Sequence, residues 1–215
     1  MIFISFRRHY LDLHYSKVNF HGKVLDVGGK KDSKRGTFRP PLDQVKSWEY
    51  LNLDQSTNPD YECSADNIPV EANTFDFIIL SEVLEHLENP GLVLAECQRV
   101  LKPEGQIICT MPFLYNLHAD PYDYQRWLPA KINLEFNKAG FQTPKIEAMG
   151  GLLAVLWDLC VNTVRHYQKI EKKFYHRFIF SVFYKLLLPV FLHLEKKSQI
   201  ASNIITTGYY FEAKK

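Results

Sequence analysis

In the first half of the chain, short apolar runs that stop at acidic, glycine or proline positions alternate with stretches where apolar residues recur every three or four places. Val24-Leu25 leads into Asp26-Val27-Gly28-Gly29. Tyr50-Leu51-Asn52-Leu53-Asp54 and Phe75-Asp76-Phe77-Ile78-Ile79-Leu80-Ser81-Glu82 repeat that form, and Gln106–Met111 reads as a buried strand. Leu84, Leu87, Leu92, Val93, Leu94, Cys97, Val100 and Leu101 predict a helix broken near Pro90, and Lys102-Pro103-Glu104-Gly105 predicts a stop and turn. Residues 1–20 predict a helical or irregular cover. Ile132–Ala139 predicts a helix ending at Gly140, Phe141–Met149 a strand, and Ile204–Ala213 a terminal strand. Such alternation implies an α/β fold with a mostly parallel sheet and helices on both faces. Its ligands bind beyond the carboxyl ends of the strands, where Gly28, Asp54, Asp66 and Ser81 fall.

One segment breaks the alternation. From Phe178 to Leu194 nearly a whole helix circumference is apolar, interrupted by Ser181, Lys185, Pro189 and His193. The run is shorter than the roughly 20 apolar residues of a membrane span. The chain therefore reads as one domain over 1–215 carrying a helical, apolar-basic insertion over 152–200 before its last strand. That insertion is a lid or intramolecular core, a dimer interface, or a surface resting on anionic lipid. Arg165, Lys169, Lys172, Lys173, Arg177, Lys196 and Lys197 flank the apolar run as an interfacial helix requires.

Charge sharpens this picture. The 215 residues carry a formal net charge of +2, yet residues 151–200 hold 8 basic and 3 acidic side chains, so the remainder is net acidic. Local basicity of this kind argues against a nucleic-acid partner. With 46% apolar and 23% charged residues the chain is globular. Cys63, Cys97, Cys109 and Cys160 form no C-x-x-C pair, and the start Met1-Ile2-Phe3-Ile4-Ser5-Phe6-Arg7-Arg8 places its apolar run before its cations. Both features suit a reduced, cytoplasmic protein, possibilities at a lipid surface aside.

Chemistry follows from position. A carboxylate at the tip of the second strand, Asp54, suits the two hydroxyls of a ribose. An acidic or amide group after the third, Asp66 or Asn67, suits an exocyclic adenine amine. The competing reading is that these residues cap turns. Further on, His118-Ala119-Asp120-Pro121-Tyr122-Asp123-Tyr124-Gln125-Arg126-Trp127 is dense in reactive groups. His118 is the candidate general base, oriented by Asp120, with Tyr124 and Arg126 to bind a sugar, phosphate or carboxylate. The alternative is a loop ordered by Asp–Arg pairing over packed aromatics. His118-x-Asp120 offers only two metal ligands, so no metal site is assigned. Glu82 and His86, four apart, form a local ion pair on one helix face or look into the cofactor pocket as substrate-binding groups.

The series Val24-Leu25-Asp26-Val27-Gly28-Gly29, Leu53-Asp54, Ala65-Asp66-Asn67-Ile68-Pro69, Phe75–Leu87 and Leu101-Lys102-Pro103-Glu104-Gly105 resembles the class I S-adenosylmethionine-dependent methyltransferases, particularly the type 11 group. The resemblance covers about half the chain. It implies a Rossmann-like, seven-stranded sheet whose last strand is antiparallel. It also implies S-adenosylmethionine as cofactor, with Asp26, Gly28, Gly29 and Ser81 around the methionine portion, Asp54 on the ribose, and Asp66 with Asn67 near the adenine. The stretch from His118 to Trp127 resembles a segment in a subset of these enzymes linked to surface-glycan or secondary metabolism. The implied reaction is methyl transfer to an oxygen or nitrogen of a small-molecule, glycan-linked or lipid-linked acceptor. One departure stands out: Lys30 and Asp32 occupy the family's second and third glycine positions. Glycine alone freely takes positive φ, so the alternative is a noncatalytic binding protein of this fold with weakened cofactor affinity.

Overall fold

A computed structural model of the chain describes residues 5–32, 36–118, 121–171, 184, 186–195 and 205–215. Among these, six strands form one sheet: β1 Lys23–Val27, β2 Ser47–Leu51, β3 Phe75–Ser81, β4 Leu101–Pro112, β5 Lys145–Ala148 and β6 Gly208–Lys214. Their spatial order is β2-β1-β3-β4-β6-β5. β1 to β4 pair in parallel, whereas β6 runs antiparallel to both β4 and β5.

Both faces are covered, which is why the central strands are apolar at nearly every position rather than at alternate ones. Leu25, Ile78, Leu80, Ile107, Cys109 and Phe211 pack against Val93, Leu94, Cys97 and Val100 of helix α2 (Pro90–Val100) and Ile132 and Phe136 of helix α3 (Pro129–Lys138). On the other face Val24, Phe77, Ile79, Ile108 and Tyr210 meet Leu11 and Tyr15 of helix α1 (Phe6–Tyr15), with Phe20 and Trp48.

Several expectations are corrected. Among the described residues the sheet has six strands where seven were implied. Beside β2, only a single parallel bridge forms, Leu51 to Tyr61. The Asp60 carboxylate accepts the Tyr50 N–H at 2.8 Å, and the Asp60 and Tyr61 N–H groups both donate to the Tyr50 carbonyl. The edge groups that a further strand would use are therefore already satisfied.

No helix follows the glycine turn among the described residues of 28–46. Pro40-Pro41 cannot donate helical hydrogen bonds, and the buried Asp12 of α1 accepts from both the N–H (2.6 Å) and the hydroxyl (3.0 Å) of Thr37, tying the connection down as a loop. Phe38 then packs on Tyr15, Phe20 and Trp48 where a helix would otherwise lie.

After β3 the chain makes a 3₁₀ turn, Leu84–His86, and α2 starts only at Pro90, where proline's missing N–H carries no penalty. Glu82 has φ 59° and lies outside any helix, so the Glu82–His86 pair on a shared helix face does not form. The anticipated stop at Lys102–Gly105 sits inside β4 as an irregularity: pairing jumps from Phe75–Leu101 to Phe77–Gln106, with Glu104 at φ 60°.

The insertion packs on α1. Phe6 and Tyr10 meet Ala154, Trp157 and Val161 of helix α4 (Leu152–Glu171), joined by Tyr184, Leu188, Phe191 and Leu192; residues 186–195 are helical. Lys172, Lys173, Arg177, Lys185, Lys196 and Lys197 lie outside the described residues, as do most of the Phe178–Leu194 run before Leu186 and Ile204 ahead of β6. Carboxylates fasten the helices. Asp158 of α4 accepts the N–H groups of Phe6 (2.7 Å) and Arg7 (3.1 Å) at the start of α1, and Glu195 accepts those of Gly151 and Ala154 at the start of α4. No helix among the described residues is long and apolar enough to cross a membrane.

Burial pushes the Asp158 carboxyl up to about 6, outweighing the N–H groups of Arg7 and Phe6 that favour its charged form. A carboxyl raised above its unfolded value of about 3.9 holds a proton longer in the folded chain, so its contribution falls as pH climbs from about 4 to about 6. Stability of the wild type relative to Asp158→Asn should therefore decline over that window by an amount on the order of 2 kcal/mol. Denaturant unfolding of both proteins at pH 4, 5, 6 and 7 measures it; a constant difference would contradict the assignment.

Candidate active site

The carboxyl ends of β1, β2 and β3 carry most of the singled-out residues. Gly28, directly after β1, has φ +75°, and a Cβ placed there would stand 2.7 Å from Val83 Cγ2. At Gly29 an added Cβ would lie 2.4–2.6 Å from the carboxylate of Asp26. The open backbone of this turn thus exists only because both residues lack side chains, and it brings Asp26 alongside. Asn52, just past β2, clamps the turn: its amide donates to the carbonyls of Gly28 (3.2 Å) and Gly29 (3.0 Å), while its side-chain oxygen accepts the Asp54 N–H at 2.9 Å.

Asp54 is exposed and caps a 3₁₀ turn, Gln55–Thr57. The hydroxyl and N–H of Ser56 donate to it, and together with the nearby charge of Lys30 they hold its carboxyl below the usual carboxylate range. Capping uses only Oδ1, which leaves Oδ2 without a recorded hydrogen bond at the strand tip. Lys31 turns outward to Asp60 at 2.7 Å. Asp66 and Asn67 are exposed on a separate loop anchored by the Ile68 N–H on Glu96, and no side-chain hydrogen bond among the described residues ties them to the glycine turn.

A second group of polar side chains gathers one strand over. Ser81 ends β3, and Glu82 forms an ion pair with Arg7, which α1 delivers from across the sheet. Arg7 lies 3.8 Å over the Tyr115 ring, and its burial lowers its pKa. Glu85, in the 3₁₀ turn, is fully buried, and neither of its carboxylate oxygens accepts a hydrogen bond. His118 Nε2 stands 3.6 Å from Glu85 Oε1 and His86 Nε2 3.8 Å from it. Glu82 Oε1 and Thr110 Oγ1 are also buried without hydrogen-bond partners. Unsatisfied buried polar atoms concentrated in this way call for a partner.

The 121–128 segment is fixed against this turn. Gln125 donates from its amide to the carbonyls of Leu84 (3.1 Å) and Leu87 (2.8 Å) and accepts the Trp127 indole N–H at 2.8 Å. Arg126 grips Asp123 with two nitrogens, and this holds the Asp123 carboxyl down to about 2. Asp123 in turn accepts the His118 N–H at 3.1 Å, so it occupies the orienting position read for Asp120, which lies outside the described residues. Tyr124 is exposed, its ring 5.4 Å from that of Tyr122.

Arg7, Asn52, Glu85 and Gln125 were not singled out in the sequence. Glu85 carried a signal there, sitting between Glu82 and His86, whereas nothing local marks Arg7. A cavity of about 550 Å³ lies elsewhere, lined by His14, His21, Phe77, Gln106 and Tyr210 among others, toward the opposite end of β3 from Ser81.

A family profile described as a methyltransferase domain matches residues 42–109, spanning β2, β3, the 3₁₀ turn, α2 and most of β4. Over these residues the chain is similar to the class I S-adenosylmethionine-dependent methyltransferases. Among the proteins it resembles, a demethylmenaquinone methyltransferase of Staphylococcus saprophyticus is 29% identical over 42% of this chain and 52% of its own. A ubiquinone biosynthesis O-methyltransferase of Neisseria meningitidis is 28% identical over 55% of this chain and 52% of its own. The chain thus spans about half the length of these curated relatives. The fold is shared with a SAM-dependent methyltransferase structure from Archaeoglobus fulgidus at a TM-score of 0.57 and 15% identity, covering 97% of this chain and 92% of that one.

Proposed function

We propose that this chain is a methyltransferase that uses S-adenosylmethionine to methylate an oxygen of a small-molecule acceptor. The observation that carries the reading is the contact of its two half-sites: Gly28 backs onto Val83, which lies between Glu82 and the Glu85–His86 pair. The residues fit the cofactor. Gly28 and Gly29 leave the backbone open, Asp26 lies beside that opening for an ammonium, and Asp54 stands exposed at the tip of β2 for ribose hydroxyls. Bound there, S-adenosylmethionine supplies an electrophilic methyl group. The chain supplies alignment and proton handling: Ser81 and Glu82 line the exit of β3, and the carboxylate–imidazole cluster with His118 takes the proton that an acceptor hydroxyl must lose. The quinone-pathway names of the two relatives support a small aromatic acceptor over a glycan. The insertion over 152–200 supports a lid attached to α1, and the exposed Leu186 and Val190 support a contact with lipid or a second copy.

Calorimetric titration with S-adenosylhomocysteine should show saturable binding, weakened about tenfold or more in Asp54→Ala. Unchanged affinity would remove Asp54 from the site. The noncatalytic reading keeps one supporting observation, the charge of Lys30 close to Asp54 in a turn with no helix behind it. Absence of both binding heat and any thermal shift with ligand would favour that reading.

A further inference from the structure

Three acceptor groups converge beside the acceptor half-site with no donor between them. The Nδ1 of His86 is 2.5 Å from the Tyr122 carbonyl, and the Nδ1 of His118 is 3.2 Å from the Asn116 carbonyl. A carbonyl only accepts, so Nδ1 is the nitrogen that carries a hydrogen in each ring, and Nε2 is the nitrogen left to offer a lone pair to an ion. Both Nε2 atoms face the same oxygen, Glu85 Oε1, at 3.8 and 3.6 Å. Those separations are too long for hydrogen bonds but suit ligands around a shared ion, and the three donor atoms lie within 4.8 Å of one another.

Glu85 makes the arrangement costly without a cation. Its side chain is 0% exposed, and neither oxygen accepts a hydrogen bond. A buried carboxylate without donors is strongly unfavourable. Arg7, the nearby fixed cation, attracts the Glu85 charge but is paired with Glu82, stacked on Tyr115, and donates no hydrogen bond to Glu85. The imidazoles are also pre-set as metal ligands are, each held through its second nitrogen by an oxygen, with the rings nearly perpendicular at 83° and 5.2 Å apart.

We propose that Glu85, His86 and His118 bind one divalent metal ion of the zinc class. Two imidazoles and one carboxylate suit Zn²⁺, Co²⁺ or Mn²⁺ and leave coordination positions for water or an oxygen of the acceptor. Metal binding stands on these residues alone. Its use on an acceptor oxygen rests on the methyl-transfer reading, where the ion would hold a hydroxyl and lower its pKa so that the proton passes to solvent water, in place of His118 acting as a free base.

The full chain, stripped with chelator and titrated with ZnCl₂, should bind one ion saturably, and CoCl₂ should produce the visible absorption of a low-coordinate nitrogen–oxygen site. Glu85→Gln and His118→Ala should each weaken Zn²⁺ binding about tenfold or more. His118 is partly exposed, so its truncation leaves the core intact. A thermal readout covers misfolding: metal-free Glu85→Gln should melt above metal-free wild type, having lost an unpaired buried charge, and Zn²⁺ should raise the melting temperature of the wild type alone. No saturable binding of Zn²⁺, Co²⁺ or Mn²⁺ up to millimolar ion overturns the proposal. So does equal affinity in all three proteins, or an equal zinc shift in Glu85→Gln. Titration of the metal-free protein with S-adenosylhomocysteine tests the donor reading separately, and its failure leaves the metal result standing.

Discussion

Phe136→Ala should lower the free energy of unfolding by about 3–5 kcal/mol. Phe136 is fully buried at the meeting of α3 with the sheet, its ring 5.4 Å from that of Phe211 on β6 at 82° and 5.4 Å from Phe141 in the turn after α3. Truncation removes the apolar contact and leaves a cavity that three elements would have to close together. Ile132, Phe141 and Phe211 are anchored by backbone pairing or helix packing, so little collapse is possible. Guanidinium unfolding followed by far-ultraviolet circular dichroism measures the change. A loss below about 1 kcal/mol would mean that α3 is not part of this core.

Gly28→Ala should weaken S-adenosylhomocysteine binding about tenfold or more and also lower the melting temperature. A left-handed φ of +75° costs a non-glycine residue roughly 1–2 kcal/mol, and the added methyl would press on Val83, whose branched side chain has little rotamer freedom to retreat. Because Glu82 precedes Val83 and Glu85 follows it, the displacement reaches the acceptor half-site as well. Gly91→Ala is the matched control. Nothing stands closer than 4.0 Å to a Cβ there, and helix α2 gains from the residue, so stability should rise by a few tenths of a kcal/mol or more with binding unchanged. Calorimetry and thermal melts of the two variants side by side decide the matter; equal behaviour would mean that the turn at Gly28 is not specifically constrained.

The central strands were legible because a sheet covered on both faces needs near-continuous apolar runs, and Val24–Val27, Phe75–Leu80 and Ile107–Met111 are such runs, interrupted only by Asp26, Asp76 and Thr110. Helices α2 and α3 were legible from apolar spacing and from Gly140 after α3, whereas Pro90, expected as a break, starts α2. The seventh strand is absent among the described residues, and no helix follows the glycine turn there. Both depend on partners remote in sequence: Asp60 satisfies the β2 edge, and Asp12 of α1 captures Thr37. At the site, Gly28, Gly29, Asp54 and Ser81 could be placed because strand ends announce themselves. Glu85 as the buried centre, Arg7 as the partner of Glu82 and Asp123 as the support of His118 could not.

By itself the sequence determined a mostly parallel α/β sheet, the glycine turn after its first strand and the likeness to the class I methyltransferases, because periodicity and turn chemistry are local properties. Tertiary structure alone decided that Arg7 crosses from α1 to Glu82, that His86 and His118 aim their free nitrogens at one buried carboxylate, and that Gln125 fastens their two loops together. Those outcomes depend on burial and on contacts between residues up to 75 positions apart, as with Arg7 and Glu82, and no spacing rule along the chain encodes them.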